Sequence, residues 1–411
     1  MLALATGLVR AGHRVRVVTG RGFLDEVRAT GAEPVPLPPE SDVDEERIAE
    51  AFPERTGLRG PAAARFDMGR IFLDPVPGQV AAIDRAMAAE PVGAIVAEPL
   101  FLAGLALVGR PSPPVLTLGT MPPLGRQSAM PPVGPPLTGL GPVAPAVHLG
   151  MHRAAQRVMF GSVQRRAEKL FASIGEPPPR TFFLDWPLAG SGLLQLSVPS
   201  FEPIDGMAAP VHHVGTLSAP PGTPSSDPPS WWSRVERAVD RGTPVVHVTQ
   251  GTVANADLEQ LVMPTIRALA ERPALVVATT GGREVDRAGT PLPDNAILTD
   301  WVDYARLLPH VAAMVTNGGY GGVHEALRHG VPLVLAGAEQ DKAAVAARLR
   351  RSSAGVAVTT LTPTEATLDR LIGRVLHDPR HRHNAEHVAA DLAAAPGLSG
   401  AVAVIERAMA G

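Results

Sequence analysis

The chain has 411 residues, enough for two domains at about 150 residues each. Hydrophobic residues make up 45% of it and charged residues 19%, so sizeable cores are available and global disorder is excluded. The 37 basic and 40 acidic residues leave a net charge of -3, with no basic excess to hold nucleic acid or an anionic membrane; the absence of Cys excludes disulfides, thiolate metal sites and cysteine nucleophiles.

The first residues predict a helix over 1–11, with Leu4, Leu8 and Ala11 at helical spacing and Gly12 as the stop. This apolar opening has no basic leader and runs into Arg10, so a secretory signal is not expected. A strand follows over 15–19, and helix-then-strand pairs recur at 23–30 with 34–37 and at 78–89 with 92–97. A further helix then leads to a strand over 115–118. The apolar stretch 91–109 holds Glu98 and Pro99 at its centre, which fits a buried strand and helix rather than a membrane span. Residues 119–150 are crowded with Pro and Gly and read as a wall of a binding cleft or as plain connector. A second composition shift over 199–229 marks a proline-stiffened linker, taken as 206–230. Trp231 and Trp232 then start a helix, and a second alternating set has strands over 245–249, 274–279, 296–299, 314–316, 333–336 and 354–358. The expected architecture is α/β, two successive doubly wound parallel-sheet domains in a soluble, cytoplasmic protein. The ligand site is expected in the cleft at the carboxyl ends of the strands.

The sharpest motif is Thr316-Asn317-Gly318-Gly319-Tyr320-Gly321-Gly322-Val323-His324-Glu325. A strand ends at Thr316, four glycines fall within five positions, and a helix continues to about His329. Such a turn lets backbone N–H groups and a helix N-terminus meet a phosphate or diphosphate; on spacing alone it could equally be a tight packing turn. It is neither a Walker A loop nor the dinucleotide fingerprint. His381, His383 and His387 lie on one polar helix, His383 and His387 at the i, i+4 spacing that suits a metal; without a third ligand completing a set they read as a solvated face, so no metal is expected.

The flanks narrow the choice. Trp301-Val302-Asp303-Tyr304 and Leu307-Leu308-Pro309-His310 stand upstream; Gly330-Val331-Pro332-Leu333 to Gly337 and Asp341-Lys342 stand downstream. This ordered block resembles the donor-binding signature of the family 1 glycosyltransferases, nucleotide-sugar-dependent enzymes of GT-B fold, most closely the actinobacterial macrolide- and flavonoid-type members. The run 245–252 and the segments around Leu194-Gln195-Leu196, Val198 to Glu202 and Val214-Gly215 resemble other parts of the same family.

The resemblance implies an acceptor-binding domain over 1–205, the linker 206–230, a donor domain over 231–395 and a last helix over 396–411 that returns to the first domain. Trp301 would stack on the base and the Val302 backbone would pair with its edge, unless Trp301 is a core residue. Glu325 would accept both ribose hydroxyls, unless it is simply an exposed helix carboxylate. Gly319, Gly321, Gly322 and Thr252 would share the diphosphate, and Gly281 and Gly282 would form a second loop at the donor edge. Asn317 stands where most members carry a His on the diphosphate; it can donate a hydrogen bond but carry no charge. Asp341 matches the acid that holds sugar hydroxyls, and Lys342 departs from the usual Gln or Asn. The implied reaction is inverting transfer from a UDP- or dTDP-sugar to a hydroxyl of a small lipophilic acceptor such as a macrolide or flavonoid, without metal or resident cofactor.

In this family the catalytic His lies in a loop after the first strand, and the alignment of Met1–Val9 with the helix that follows implies that strand and loop would precede Met1. Gly12-His13 matches a later turn, and Glu98 falls at the acid that orients the His; a solvated strand-end carboxylate is the other reading. A catalytically inactive nucleotide-sugar-binding protein is therefore the alternative function. A sugar-nucleotide epimerase of the same architecture fits Trp301 and Asp341 poorly.

Overall fold

Short continuous apolar runs become the strands of three parallel sheets in the computed structural model, which describes residues 1–43, 48–111, 113–127, 129–132, 138–206, 209–217, 227–251, 257–282, 292–337 and 341–411. In the first half, β1 (Arg16–Thr19) pairs with β2 (Glu33–Pro36). β3 (Ile95–Ala97), β4 (Val115–Gly119), β5 (Gly192–Gln195) and β6 (Val211–His213) form a separate sheet in that order. Every residue of β4 and β5 is buried, whereas β1 and β3 are mostly half-buried, and among the described residues no strand joins them.

The second half holds β7 (Val245–Thr249), β8 (Leu275–Thr279), β9 (Ala296–Thr299), β10 (Val311–Thr316), β11 (Leu333–Ala336) and β12 (Gly355–Val358), ordered β12-β11-β10-β7-β8-β9. Strands buried on both faces need apolar side chains at both phases of the two-residue period. Val245, Val277, Met314 and Leu333 accordingly face one core, and Val246, Val248, Val276 and Val315 the other. The order reverses at β7 and β10, so the loops leaving these neighbours diverge and open a crevice at their carboxyl ends.

The expected strands of this half are present, with β10 starting three residues earlier than the sequence pattern placed it. The expectation of irregular chain through residue 150 is corrected. A 30-residue helix, Ala144–Ser173, begins inside that stretch. Its buried face includes His148, His152 and Gln156, so the apolar periodicity that would have announced it is missing. The last helix, Gly397–Ala410, leaves the second half and packs Ala401, Val402, Val404 and Ile405 against Leu4, Leu116, Leu118 and Leu194. His13 Nε2 meets Glu406 Oε1 at 2.9 Å across the same junction. Among the described residues no single helix is long and apolar enough to cross a membrane.

Candidate active site

The carboxyl ends of the second set of strands gather most of the residues singled out from the sequence. At β10 the chain leaves Thr316 and turns at Gly318, whose φ of +93° suits glycine. It then enters the helix Tyr320–Arg328 with Gly319 as N-cap. Asn317 Nδ2 donates to the carbonyl of Gln250, just past β7, and so ties the two strand ends across the crevice. The first intrahelical bond is Val323 N–H to Gly319 C=O at 3.0 Å, so the N–H groups of 320–322 precede the ladder. A Cβ at Gly319, Gly321 or Gly322 would meet nothing within 4 Å, which leaves that face of the first turn open. An open helix N-terminus with exposed amides is a ready anion site.

Trp301, past β9, is 60% exposed despite its size. Gly282, past β8, is its support: a Cβ there would lie 2.9 Å from Trp301 Cζ2, so only glycine lets the indole lie on that loop. Gly281 N–H donates to Asp300 C=O at 3.1 Å. Trp301 is thus an exposed aromatic platform at the strand ends, not a core residue. Val302 packs beneath it on the core, and Asp303 caps the next turn by accepting from Ala305 N–H at 3.0 Å. Tyr304 lies under the end of β7 with its ring on His247; burial pushes its phenol up to about 12, and it stays protonated. Glu325, a turn and a half into the helix, is half-buried and accepts from Arg328 at 3.2 Å.

Past β11, Gly337 packs so tightly that a Cβ would collide with the Asn317 carbonyl oxygen. Asp341 is half-buried, and burial raises its carboxyl above the usual range. Lys342 is 8% exposed. Its stem crosses the Asn317–Gly318 turn: Cβ positions at Gly318 and Gly337 would lie 3.7 Å from Lys342 Cβ and 3.2 Å from Lys342 Cδ. Thr252 lies outside the described residues.

On the opposing sheet, Glu98 sits half-buried just past β3. Beside it is an apolar pocket lined by Pro99, Met121, Leu124, Leu184, Leu188 and Gln195. Asp185 pins its wall, accepting from Arg126 N–H at 2.8 Å, Arg126 Nε at 2.9 Å and Gln156 Nε2 at 2.7 Å. Met121, Pro123, Leu124 and Gly125 line this pocket, and Arg126 anchors the end of that segment to Asp185. His381 departs from the solvated-face expectation: it is buried, with Nδ1 donating to Ser353 C=O at 2.9 Å.

Residues that the motifs contain but to which the sequence assigns no role, with Ser197 and Arg348, join the two sheet edges. Gln195 Nε2, at the end of β5, donates to Tyr320 Oη at 2.8 Å. His324 Nδ1 donates to Tyr320 C=O and Nε2 accepts from Ser197 Oγ, both at 2.8 Å. Glu202 is fully buried and receives Arg348 Nε at 2.5 Å on each oxygen. One signal was available: Arg348 falls on the buried stripe of its helix, between Val345 and Leu349.

Two of these buried rings set a pH dependence. Desolvation lowers His324 and His247 from the usual 6.5 to about 4, and each donates Nδ1–H to a carbonyl, which fixes the neutral tautomer. Both stay unprotonated when folded but titrate near 6.5 when unfolded. Their contribution is complete above pH 6.5 and lost as pH falls toward 4, about 3 kcal/mol per ring. Urea midpoints from pH 7 to 4.5 should fall steeply for the wild type and less steeply for His324→Gln; parallel profiles would remove His324 as a cause.

Residues 264–407 match the family described as the C-terminal domain of erythromycin biosynthesis protein CIII-like proteins. The chain is 36% identical over 413 residues to 4'-demethylrebeccamycin synthase of Lentzea aerocolonigenes, covering 99% of this chain and 95% of the relative. The chain belongs to the family 1 glycosyltransferases. This glycosyltransferase is also 32% identical to UDP-glucosyltransferase A1 of Starmerella bombicola, over 95% of this chain and 85% of that one. The glycosyltransferase VinC, solved in complex with dTDP, shares its fold with a TM-score of 0.68 at 20% identity, over 100% of this chain and 95% of the other. The GT-B architecture anticipated from the motifs is thus the fold of this glycosyltransferase.

Proposed function

We propose that this glycosyltransferase moves a sugar from a UDP- or dTDP-sugar to a hydroxyl of a small lipophilic acceptor, with inversion at the anomeric carbon. The observation that carries this reading is the open, glycine-rich helix start at the β7–β10 crevice, with Trp301 presented beside it. The names of two similar proteins support the donor class, one a UDP-glucosyltransferase and one a glycosyltransferase solved with dTDP. A relative named for rebeccamycin synthesis supports the acceptor class.

The donor site is assigned to the 231–395 segment and the acceptor site to 1–205. Trp301 stacks on the base and the Val302 backbone reads its edge, with Gly281 and Gly282 leaving room at the rim. Glu325 accepts the ribose hydroxyls and Asp341 a sugar hydroxyl; Thr252 is kept as a diphosphate contact. The acceptor oxygen attacks the anomeric carbon as the bond to the diphosphate breaks, and the diphosphate leaves with the electron pair. The hydroxyl proton passes to a general base on the acceptor side, and Glu98 is the carboxylate assigned to orient that base. Charge on the departing diphosphate meets the Gly321 and Gly322 amides and the helix dipole. Asn317 adds no charge, and Lys342, lying over the same turn, supplies the cation.

Nucleoside diphosphate release from UDP-glucose and dTDP-glucose, with and without a macrolide or flavonoid, tests the reading, and the anomeric configuration of the product tests inversion. Acceptor-dependent release is expected; tight donor binding without turnover would overturn it. Trp301→Ala should raise the donor KM about tenfold or more, the worth of one base–aromatic stack, with an unchanged melting temperature because the ring is largely exposed. An unaltered KM would remove Trp301 from the donor site.

A further inference from the structure

We propose that Tyr320 is a positioning residue whose hydroxyl couples the acceptor-side wall at 119–121 to the diphosphate turn through Gln195. The inference rests on the reading above for what the turn binds, but the coupling itself is a property of the ligand-free protein. Gln195 Nε2 faces three acceptors, the carbonyls of Gly119 at 3.2 Å and Met121 at 3.1 Å and Tyr320 Oη at 2.8 Å. An amide has two N–H bonds, so the three compete and a shift of any one alters the other two. The amide lies so close to Gly119 that a Cβ there would collide with Oε1, and that oxygen is buried without a hydrogen-bond partner.

Tyr320 is the first residue of the helix, directly before Gly321 and Gly322. Its hydroxyl reaches across to the other sheet while its carbonyl accepts from His324, which Ser197 holds in turn. The first helical turn is therefore gripped at two points by residues at and just beyond the end of β5. Gln195 and Ser197 are fully buried and Tyr320 nearly so, so no water replaces these bonds at low cost. A displacement of the wall at Met121, such as an acceptor in the adjoining pocket would press on it, reaches the donor turn through one side chain. That link orients the leaving diphosphate relative to the attacking hydroxyl, where small misplacements are costly.

Tyr320→Phe removes the hydroxyl and keeps the ring. In ligand-free protein, amide hydrogen exchange should rise at both 119–121 and 319–323. UDP and dTDP dissociation constants should change by no more than about twofold, while acceptor-dependent kcat falls about tenfold. Gln195→Leu should do the same, and the double variant should add little to either single one, the signature of one shared interaction. Exchange altered only at 319–323, or additive losses in the double variant, would overturn the coupling. If the wild type neither binds nor turns over either donor, the functional reading fails, whereas the two-segment exchange response still decides the coupling.

Discussion

Arg348→Met is expected to destabilise the folded protein by about 3–5 kcal/mol, the cost of leaving one member of a buried ion pair alone. Glu202 and Arg348 are 0% and 2% exposed, and Arg348 Nε lies 2.5 Å from each carboxylate oxygen. The guanidinium also donates to Ala344 C=O at 3.1 Å, and Tyr320 Oη is 3.4 Å from Glu202. Methionine keeps much of the volume but leaves a carboxylate with one long hydrogen bond and only the more distant charge of Arg351. Equilibrium urea unfolding would measure the loss. The penalty should shrink as pH is lowered, because protonation discharges the stranded carboxyl. Combining the change with Glu202→Gln should recover much of the stability, since removing both charges costs less than removing one. A loss below about 1 kcal/mol at neutral pH would place the pair among weak surface-like bridges and deny it a role in holding the two halves together.

The largest expected effect on activity belongs to Lys342→Met, a fall in kcat of about 10²–10³-fold, as for removal of one preorganised group that stabilises developing charge. A low local dielectric strengthens the attraction between such a charge and a diphosphate, and the Lys342 stem lies over the turn. The methionine retains that packing, so the melting temperature should stay within a few degrees while single-turnover rates drop. Asn317→His combined with Lys342→Gln would move the cation from the lysine to the neighbouring position on the same turn. That pair should recover part of the lost rate and gain a dependence on histidine protonation that the parent lacks. An unchanged kcat in Lys342→Met would remove the lysine from leaving-group stabilisation.

The second half of the chain was readable because its strands are buried on both faces. Runs such as 275–278 and 333–336 are apolar at every position and lead into glycine-containing turns, so strands and their carboxyl-end loops coincide with the pattern. Trp301, Asn317 and Lys342 were visible as residue types in an ordered block, but what each side chain does was not. Asn317 spends an N–H on Gln250, and the Lys342 stem folds over the turn through packing with Gly318 and Gly337. The helix Ala144–Ser173 escaped because histidines and glutamine occupy part of its buried stripe. The Glu202–Arg348 pair escaped for another reason: its partners are 146 positions apart, and no local pattern relates them. Long-range polar pairing leaves no periodic trace.

The final helix gives the chain an order of assembly. Ala401, Val402, Val404 and Ile405 follow the whole second half in the sequence, yet they complete a core that also holds Leu4, Leu116 and Leu194. The first half cannot bury that surface until residues 397–410 have been made, so its folding is completed only after the second half has been synthesised. Once closed, the two halves share this seam as well as the buried ion pair, and they should melt in one transition instead of two. Loss of the Val402, Val404 and Ile405 contacts would therefore loosen Leu4, about 400 positions away in sequence, before it disturbs the second sheet.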